Sequence, residues 1–302
     1  MKPFTFFKSF LLFSLLTLTL FSCSDDTANV LDTEPTVTIE SESDVTLAAG
    51  GIFIVKVKGT KGTNNMKTLT INEAGTKVVL DRITFNTGGG ANPALLSGAN
   101  ASAFDFTISI KAHTDIATKK YDFIVADEDG LSTTKSVNVT TGSALSMLEG
   151  ILLNQSGPAG QGGLDLDTGA STGSADATAD IRDEGVVNPA NDGTWLQQIS
   201  GVNGSEIKYI VKGQNGVSEN FSFANISIKE QIATLWGNGK AFDKKSADGL
   251  RNVSAKVAVG DIFIVKNGTK YYLLTVKSIK ITPDILNDPD RNKDSYTFDV
   301  KF

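Results

Sequence analysis

Five aspartates, Asp165, Asp167, Asp176, Asp180 and Asp183, stand among glycines and small polar residues in "GLDLDTGASTGSADATADIRDEG". Carboxylates on a flexible backbone suit calcium, because a hard cation gathers several oxygens at once. Asp165, Asp167, Asp176 and Asp180 are therefore the candidate metal ligands, although the spacing departs from D-x-[DN]-x-[DN]-G and no glutamate closes it. A second run, Asp288-x-Asp290-x-Asn292-x-Asp294, alternates better but has Pro289 and Lys293 inside it and lacks the glycine, as a polar hairpin loop would. Taken in pairs, carboxylates are also the chemistry of glycosidic cleavage, one as acid and one as base or nucleophile. A unit with only two tryptophans, Trp195 and Trp236, is a thin platform for that work. A nucleophilic triad would have to use His113, the single histidine, and "IKAHTDIATKKYDF" reads as a solvated loop between two strands. The expectation is a chain without catalysis or a cofactor, with calcium as the one metal to consider.

Recognition is the other chemistry these residue types offer. Trp195, Trp236, Tyr271 and Tyr272 have ring faces on which a sugar could stack. Trp236 falls on the apolar stripe of a helix and reads as core. Trp195 follows the loop "NPANDGT" and reads as exposed. Tyr271 and Tyr272 point to opposite faces of one strand, so one of them is structural. Trp195 and Tyr271 are the candidate ligand-binding residues.

The elements that must position these groups follow from periodicity. Ile228, Ile232, Leu235 and Trp236 mark one helix face, Ser227-x-x-Glu230 has the form of a capping box, and Gly237 a stop. "DIFIVKNGTKYYLLTVKSIKIT" predicts a hairpin about Asn267-Gly268. Tyr296, Phe298, Val300 and Phe302 alternate with polar residues in a closing strand. Residues 143–302 thus read as an α+β unit with a mostly antiparallel sheet and one clear helix. Residues 35–142 are β throughout. Phe104, Phe106, Ile108 and Ile110 alternate with polar neighbours, as do Tyr121, Phe123 and Val125, then Val137 and Val139. Turn clusters at 59–65, 87–93 and 127–130 divide this half into short strands, the pattern of a sandwich. The fold class is mainly β.

Composition narrows function further. The 302 residues include 28 basic and 34 acidic ones, for a net charge of −6. With no basic block, nucleic acid is an unsuitable partner. The only cysteine, Cys23, has no partner for a disulfide within the chain. It closes an apolar run, Phe10 to Phe21, that follows Lys2 and Lys8, the layout of a secretory signal over residues 1–22. Residues 23–34 are polar and form a tether.

Several of these segments resemble known families. Leu20-Phe21-Ser22-Cys23 resembles a bacterial lipobox, which implies cleavage before Cys23 and acylation of its thiol and new amino group. Several acyl chains, at about 0.8 kcal/mol per buried CH₂, make a stable membrane anchor. Ser24-Asp25-Asp26 resembles the export tag of Bacteroidetes surface lipoproteins, and Asp26-Thr27-Ala28 that phylum's O-glycosylation motif. The resemblance implies an outer-membrane, lipid-anchored protein facing the cell exterior. "KYDFIVADEDGLSTTKSVNVT" resembles the last hairpin of bacterial Ig-like domains of the polycystic-kidney-disease type, with Tyr121 as a tyrosine corner and Asp127-x-Asp129-Gly130 as its turn. The second half is similar to β-rich Bacteroidetes surface lipoproteins, including the HmuY-like group. That group's two haem-ligating histidines have no counterpart in this half, so haem is not implied. In layout the chain resembles SusE/SusF-type lipoproteins, which implies a polysaccharide as partner; the alternative is a structural or adhesive surface protein that engages a protein partner.

Overall fold

The computed structural model describes residues 31–40, 44–86, 90–156, 161–188, 192–282 and 293–302. Cys23 and the Ser24-Asp25-Asp26 tag lie outside the described residues, as do Asp288, Asp290 and Asn292.

In the first half the strands are β1 (Thr36–Ile39), β2 (Asp44–Ala48), β3 (Ile52–Thr60), β4 (Met66–Glu73), β5 (Thr76–Lys77), β6 (Ile83–Phe85), β7 (Ala94–Leu95), β8 (Ala103–Lys111), β9 (Thr118–Asp127) and β10 (Ser132–Gly142). They form two sheets, β1-β3-β8-β6 and β2-β10-β9-β4-β5, with β7 on β4. The alternation in the sequence decides which side chains lie between them. Val55, Val57, Phe106 and Ile108 from one sheet meet Leu69, Ile71, Phe123, Val125, Val137 and Val139 from the other in one core. This is an Ig-like sandwich. Every pairing is antiparallel except that of β2, which runs parallel to β10 in the register Asp44↔Asn138 to Ala48↔Gly142.

His113 is not a solvated loop residue. It is buried, with Nε2 3.1 Å from the carbonyl of Ala117 and 2.8 Å from the Thr141 hydroxyl. Tyr121, the expected corner tyrosine, accepts the backbone N–H of His113 at 3.2 Å and the Arg82 guanidinium at 2.8 Å, and donates to Glu73 at 2.6 Å. Asp127 fills its turn as expected, its Oδ1 accepting the N–H groups of Asp129 and Leu131.

The second half continues with β11 (Met147–Asn154), β12 (Gly163–Leu164), β13 (Ser171–Thr172), β14 (Ile181–Asp183), β15 (Val186–Asn188), β16 (Asp192–Trp195), β17 (Ile199–Gly201), β18 (Glu206–Tyr209), α1 (Lys229–Leu235), β19 (Lys240–Ala241), β20 (Lys244–Lys245), β21 (Asn252–Val253), β22 (Ile262–Asn267), β23 (Lys270–Lys280) and β24 (Ser295–Lys301). Its main sheet, β11-β24-β23-β22-β18-β19, is antiparallel throughout. A small sheet, β13-β12-β14-β17, covers one face, where Leu164, Ile181 and Ile199 join Phe263, Tyr272, Leu274 and Phe298 in a core. Helix α1 covers the other, placing Ile232 with Ile264 and Leu273. Both faces of β24 are therefore buried. Lys301, on the helix side, satisfies its ammonium with the carbonyls of Ile226, Phe223 and Ala224 at 2.7, 2.9 and 3.2 Å.

Two local expectations are corrected. The helix is capped by Gln231, not Glu230: its Oε1 accepts the N–H groups of Ser227 and Ile228 at 2.8 and 3.2 Å. Glu230 is turned away to Ser143, accepting its N–H at 2.9 Å and its hydroxyl at 2.7 Å. The hairpin between β22 and β23 turns on Gly268-Thr269, because Asn267 still pairs with Lys270; Gly268 takes φ +58°, in the left-handed region that favours glycine.

The two halves meet at the end of β10. Ser227 donates to the Thr46 carbonyl at 3.0 Å, and Ala144 bridges Ile228. A Cβ on Gly142 would lie 2.4 Å from the Glu230 carboxylate and 2.6 Å from Ile228, so this close approach needs a glycine. Among the described residues no helix is long and apolar enough to cross a membrane, which says nothing of a β-barrel.

Candidate functional site

A cleft of about 430 Å³ opens between α1 and the β22–β23 hairpin. Helix α1 contributes Lys229, Glu230 and Ala233, and the hairpin contributes Thr269, Lys270, Tyr271 and Tyr272. Phe302 and Asp167 complete the lining. The strand period sets the roles of the two tyrosines. Tyr272 turns into the core and extends only its hydroxyl, which donates to Asp167 Oδ1 at 2.6 Å; Tyr271 is half-buried on the helix side. Lys270 holds the same carboxylate, at 2.6 and 2.9 Å. The Lys270 ammonium and then the Tyr272 hydroxyl keep the Asp167 carboxyl below its usual range. Burial, reinforced by Asp167, pushes the Tyr272 phenol up, so it remains a donor.

Beside the cleft, Trp236 lies 6.2 Å from Tyr271, ring centre to ring centre. It is half-buried, packed against the helix-side core as the stripe predicts. Lys208 sits 3.9 Å above the Trp236 ring, and Lys266 lies 5.9 Å from each of the Trp236 and Tyr271 rings. Lys229 stands 5.9 Å from Phe302. The wall thus offers half-exposed aromatic rings, Tyr271 and Phe302, a fixed carboxylate–ammonium–phenol group, and lysines beside them. Such a surface can stack an apolar sugar face and bond its hydroxyls.

The sequence singled out Tyr271, and the structure places it in this wall. Trp195 is corrected. Only 7% of it is exposed; its ring packs 4.6 Å from Tyr296, and Nε1 donates to Asp183 at 2.8 Å. A buried indole N–H requires an acceptor, and Asp183 supplies it. Loop residues before Trp195 do not make the ring itself exposed. Trp195 and Tyr271 belong to different cores and do not converge.

The aspartates of the glycine-rich segment are each held by protein donors. Asp165 Oδ1 accepts the N–H of Asp167 at 2.9 Å, and Asp176 Oδ1 accepts both the N–H and the hydroxyl of Thr178. Asp180 joins the Leu166 N–H to the Asn267 amide at 2.8 and 2.7 Å. Asp183 accepts four donors, from Ser156, Gly185, Trp195 and Tyr296. Among the described residues no three His, Cys, Asp or Glu side chains form a metal-binding group. The cluster brings Asp167 alone to the cleft. Lys229, Lys266 and Lys270 carried no motif in the sequence, and Phe302 entered only as the end of the closing strand's alternation.

No known family's sequence profile matches the chain, and no curated relative matches it. Among solved structures it is similar to a DUF4466 family protein from Parabacteroides merdae, at 11% identity and a TM-score of 0.37, over 89% of this chain and 97% of that one. Fibronectin(III)-like modules of CbhA from Clostridium thermocellum align at 12% identity and a TM-score of 0.24, over 35% and 96%. The SrpA adhesin from Streptococcus sanguinis aligns at 14% identity and a TM-score of 0.26, over 42% and 70%. Likenesses this distant say nothing of ligand or activity.

Proposed function

We propose that the chain is a non-catalytic, surface-exposed lipoprotein that captures a glycan in the cleft beside Tyr271, with the sandwich as spacer. The observation that carries this reading is the accessible Tyr271 ring beside the bonded set of Asp167, Lys270 and Tyr272, which joins a stacking face to fixed polar groups. Cys23 is the acylated anchor, and Ser24, Asp25 and Asp26 direct the protein outward.

Affinity electrophoresis of the soluble chain from Ser24 onward, against a panel of polysaccharides, tests the capture. Retardation that Tyr271→Ala abolishes supports it; no retardation by any polysaccharide rejects it. The anchor is tested separately, because Cys23→Ala should remove palmitate labelling, and persistent labelling would refute acylation at that residue. A second reading, adhesion to a protein partner, is favoured by Ile52 and Ile54, exposed at 68% and 60% on the outer face of β3.

A further inference from the structure

The lining of the cleft sets two carboxylates, Asp167 and Glu230, against two ammonium groups, Lys229 and Lys270, and further positive charge stands beside it on Lys266 and Lys208. Asp167 is committed to Lys270 and Tyr272, and Glu230 to Ser143. Lys229 and Lys266 make no ion pair with a described carboxylate, although Glu206 lies opposite Lys266 in the β18–β22 ladder. Lys266 lies 5.9 Å from both the Tyr271 and Trp236 rings, and Lys208 lies 3.9 Å above Trp236. Lys229 flanks Tyr271 from the helix side of the cleft. Lys229 and Lys266 therefore flank the half-buried Tyr271 ring with positive charge, on a protein whose net charge is −6.

We propose that the captured glycan is acidic. A sugar ring stacks on Tyr271 and directs its carboxylate or sulfate group to the ammonium groups of Lys229 and Lys266, while its hydroxyls meet Asp167 and Lys270. The inference rests on the glycan reading and deepens it. A chain with this net charge is repelled by a polyanion as a whole, so binding would have to come from the local arrangement and not from bulk attraction.

The purified chain is run in affinity electrophoresis against polygalacturonate, its fully methyl-esterified form, a sulfated galactan and a neutral galactan. Retardation by polygalacturonate that esterification removes supports the proposal with a carboxylate as the charged group. Retardation by the sulfated galactan and not by the neutral one supports it with sulfate. Lys266→Gln and Lys229→Gln should each weaken binding about 3-fold, as expected of a partly exposed charge contact, and raising the salt should weaken it in the unsubstituted chain. Equal retardation by esterified and free polymers, or by neutral and sulfated ones, overturns the acidic preference and leaves glycan capture standing. Failure with all four polymers and the wider panel overturns both.

Discussion

Each half of the molecule buries a carboxylate at a structural crossing point, and the two halves do so by opposite means. In the sandwich, Glu73 joins β4 to the Tyr121 hydroxyl and sits between two cations, bonded to Arg82 and, at 3.2 Å, to Lys119. Partial burial works to raise its carboxyl, but the bonds from Tyr121, Arg82 and Lys119 hold it down at about 2. In the second half, Asp183 is fully buried and meets no cation, only four neutral donors. Burial pushes its carboxyl up to about 6 despite them. A formal charge beside Glu73 lets the sandwich keep its carboxylate ionised. Neutral dipoles around Asp183 orient four groups at once and leave the desolvation of the charge uncompensated.

The largest effect expected from this contrast comes from removing the Asp183 side chain. Asp183→Ala strands the N–H groups of Ser156 and Gly185, the Trp195 indole and the Tyr296 hydroxyl, at a cost of about 4 kcal/mol. Calorimetry with hydrogen exchange should place that loss in residues 147–302 and leave the sandwich strands protected. An equal loss of protection in β9 and β10 would break the comparison.

Acid should then move the two halves in opposite directions. The folded Glu73 carboxyl lies below its unfolded value of 4.5, so its contribution is full above about pH 4.5 and lost as pH falls toward 2. The folded Asp183 carboxyl lies above its unfolded value of 3.8, so the second half gains stability as pH falls from above 6 toward 4. At about 1.4 kcal/mol per pH unit, Glu73 contributes at most about 3.5 kcal/mol and Asp183 at most about 3 kcal/mol. Exchange protection in the second half followed from pH 7 to pH 4 reads Asp183, before Asp167 and Asp248, both held low, lose their own contributions, and a loss over that window would contradict the sign assigned to Asp183; the sandwich followed from pH 4.5 to pH 3 reads Glu73.

A smaller effect sharpens the other side. Glu73→Gln keeps one acceptor oxygen for Tyr121 and Arg82 but loses the bond from Lys119 and the charge between the two cations, costing the sandwich about 2 kcal/mol and removing the share of its acid sensitivity that Glu73 carries. A variant as stable as the parent would show that Tyr121 does not need an ionised partner.

Much of the sandwich was legible in the sequence because its core follows the strand period. Phe104, Phe106, Ile108 and Ile110 alternate and are all buried. The second half was legible only where a period survives, in α1, in the β22–β23 hairpin and in β24. Its glycine-rich segment has no period, since side chain-to-backbone bonds from Asp165, Asp176, Asp180 and Asp183 hold it in place, and such bonds carry no repeat. The aspartates looked like ligands for a cation because the same oxygens serve either purpose. His113 and Trp195 looked exposed because loop residues surround them in sequence, and their distant partners, the Thr141 hydroxyl and Asp183, come together only in the fold. Tyr271 was found through its residue type, but the lysines around it come from three separate elements.

The parallel pairing of β2 with β10 has a mechanical consequence. A pull applied between the chain's N-terminal side and the second half loads the four-residue pairing of β1 with β3 first and, once that yields, passes from the start of β2 to the end of β10. Five residue pairs, Asp44↔Asn138 to Ala48↔Gly142, are then drawn along each other in opposite directions and must yield together. Under tension the sandwich acts as a shear clamp, not a zipper, and its lifetime is set by its rate of forced unfolding. Single-molecule pulling from the two ends should show one high rupture force, and stepwise opening at low force would contradict it. Under the proposed anchoring and glycan capture, that geometry would limit how long the hold on a polymer survives in flow.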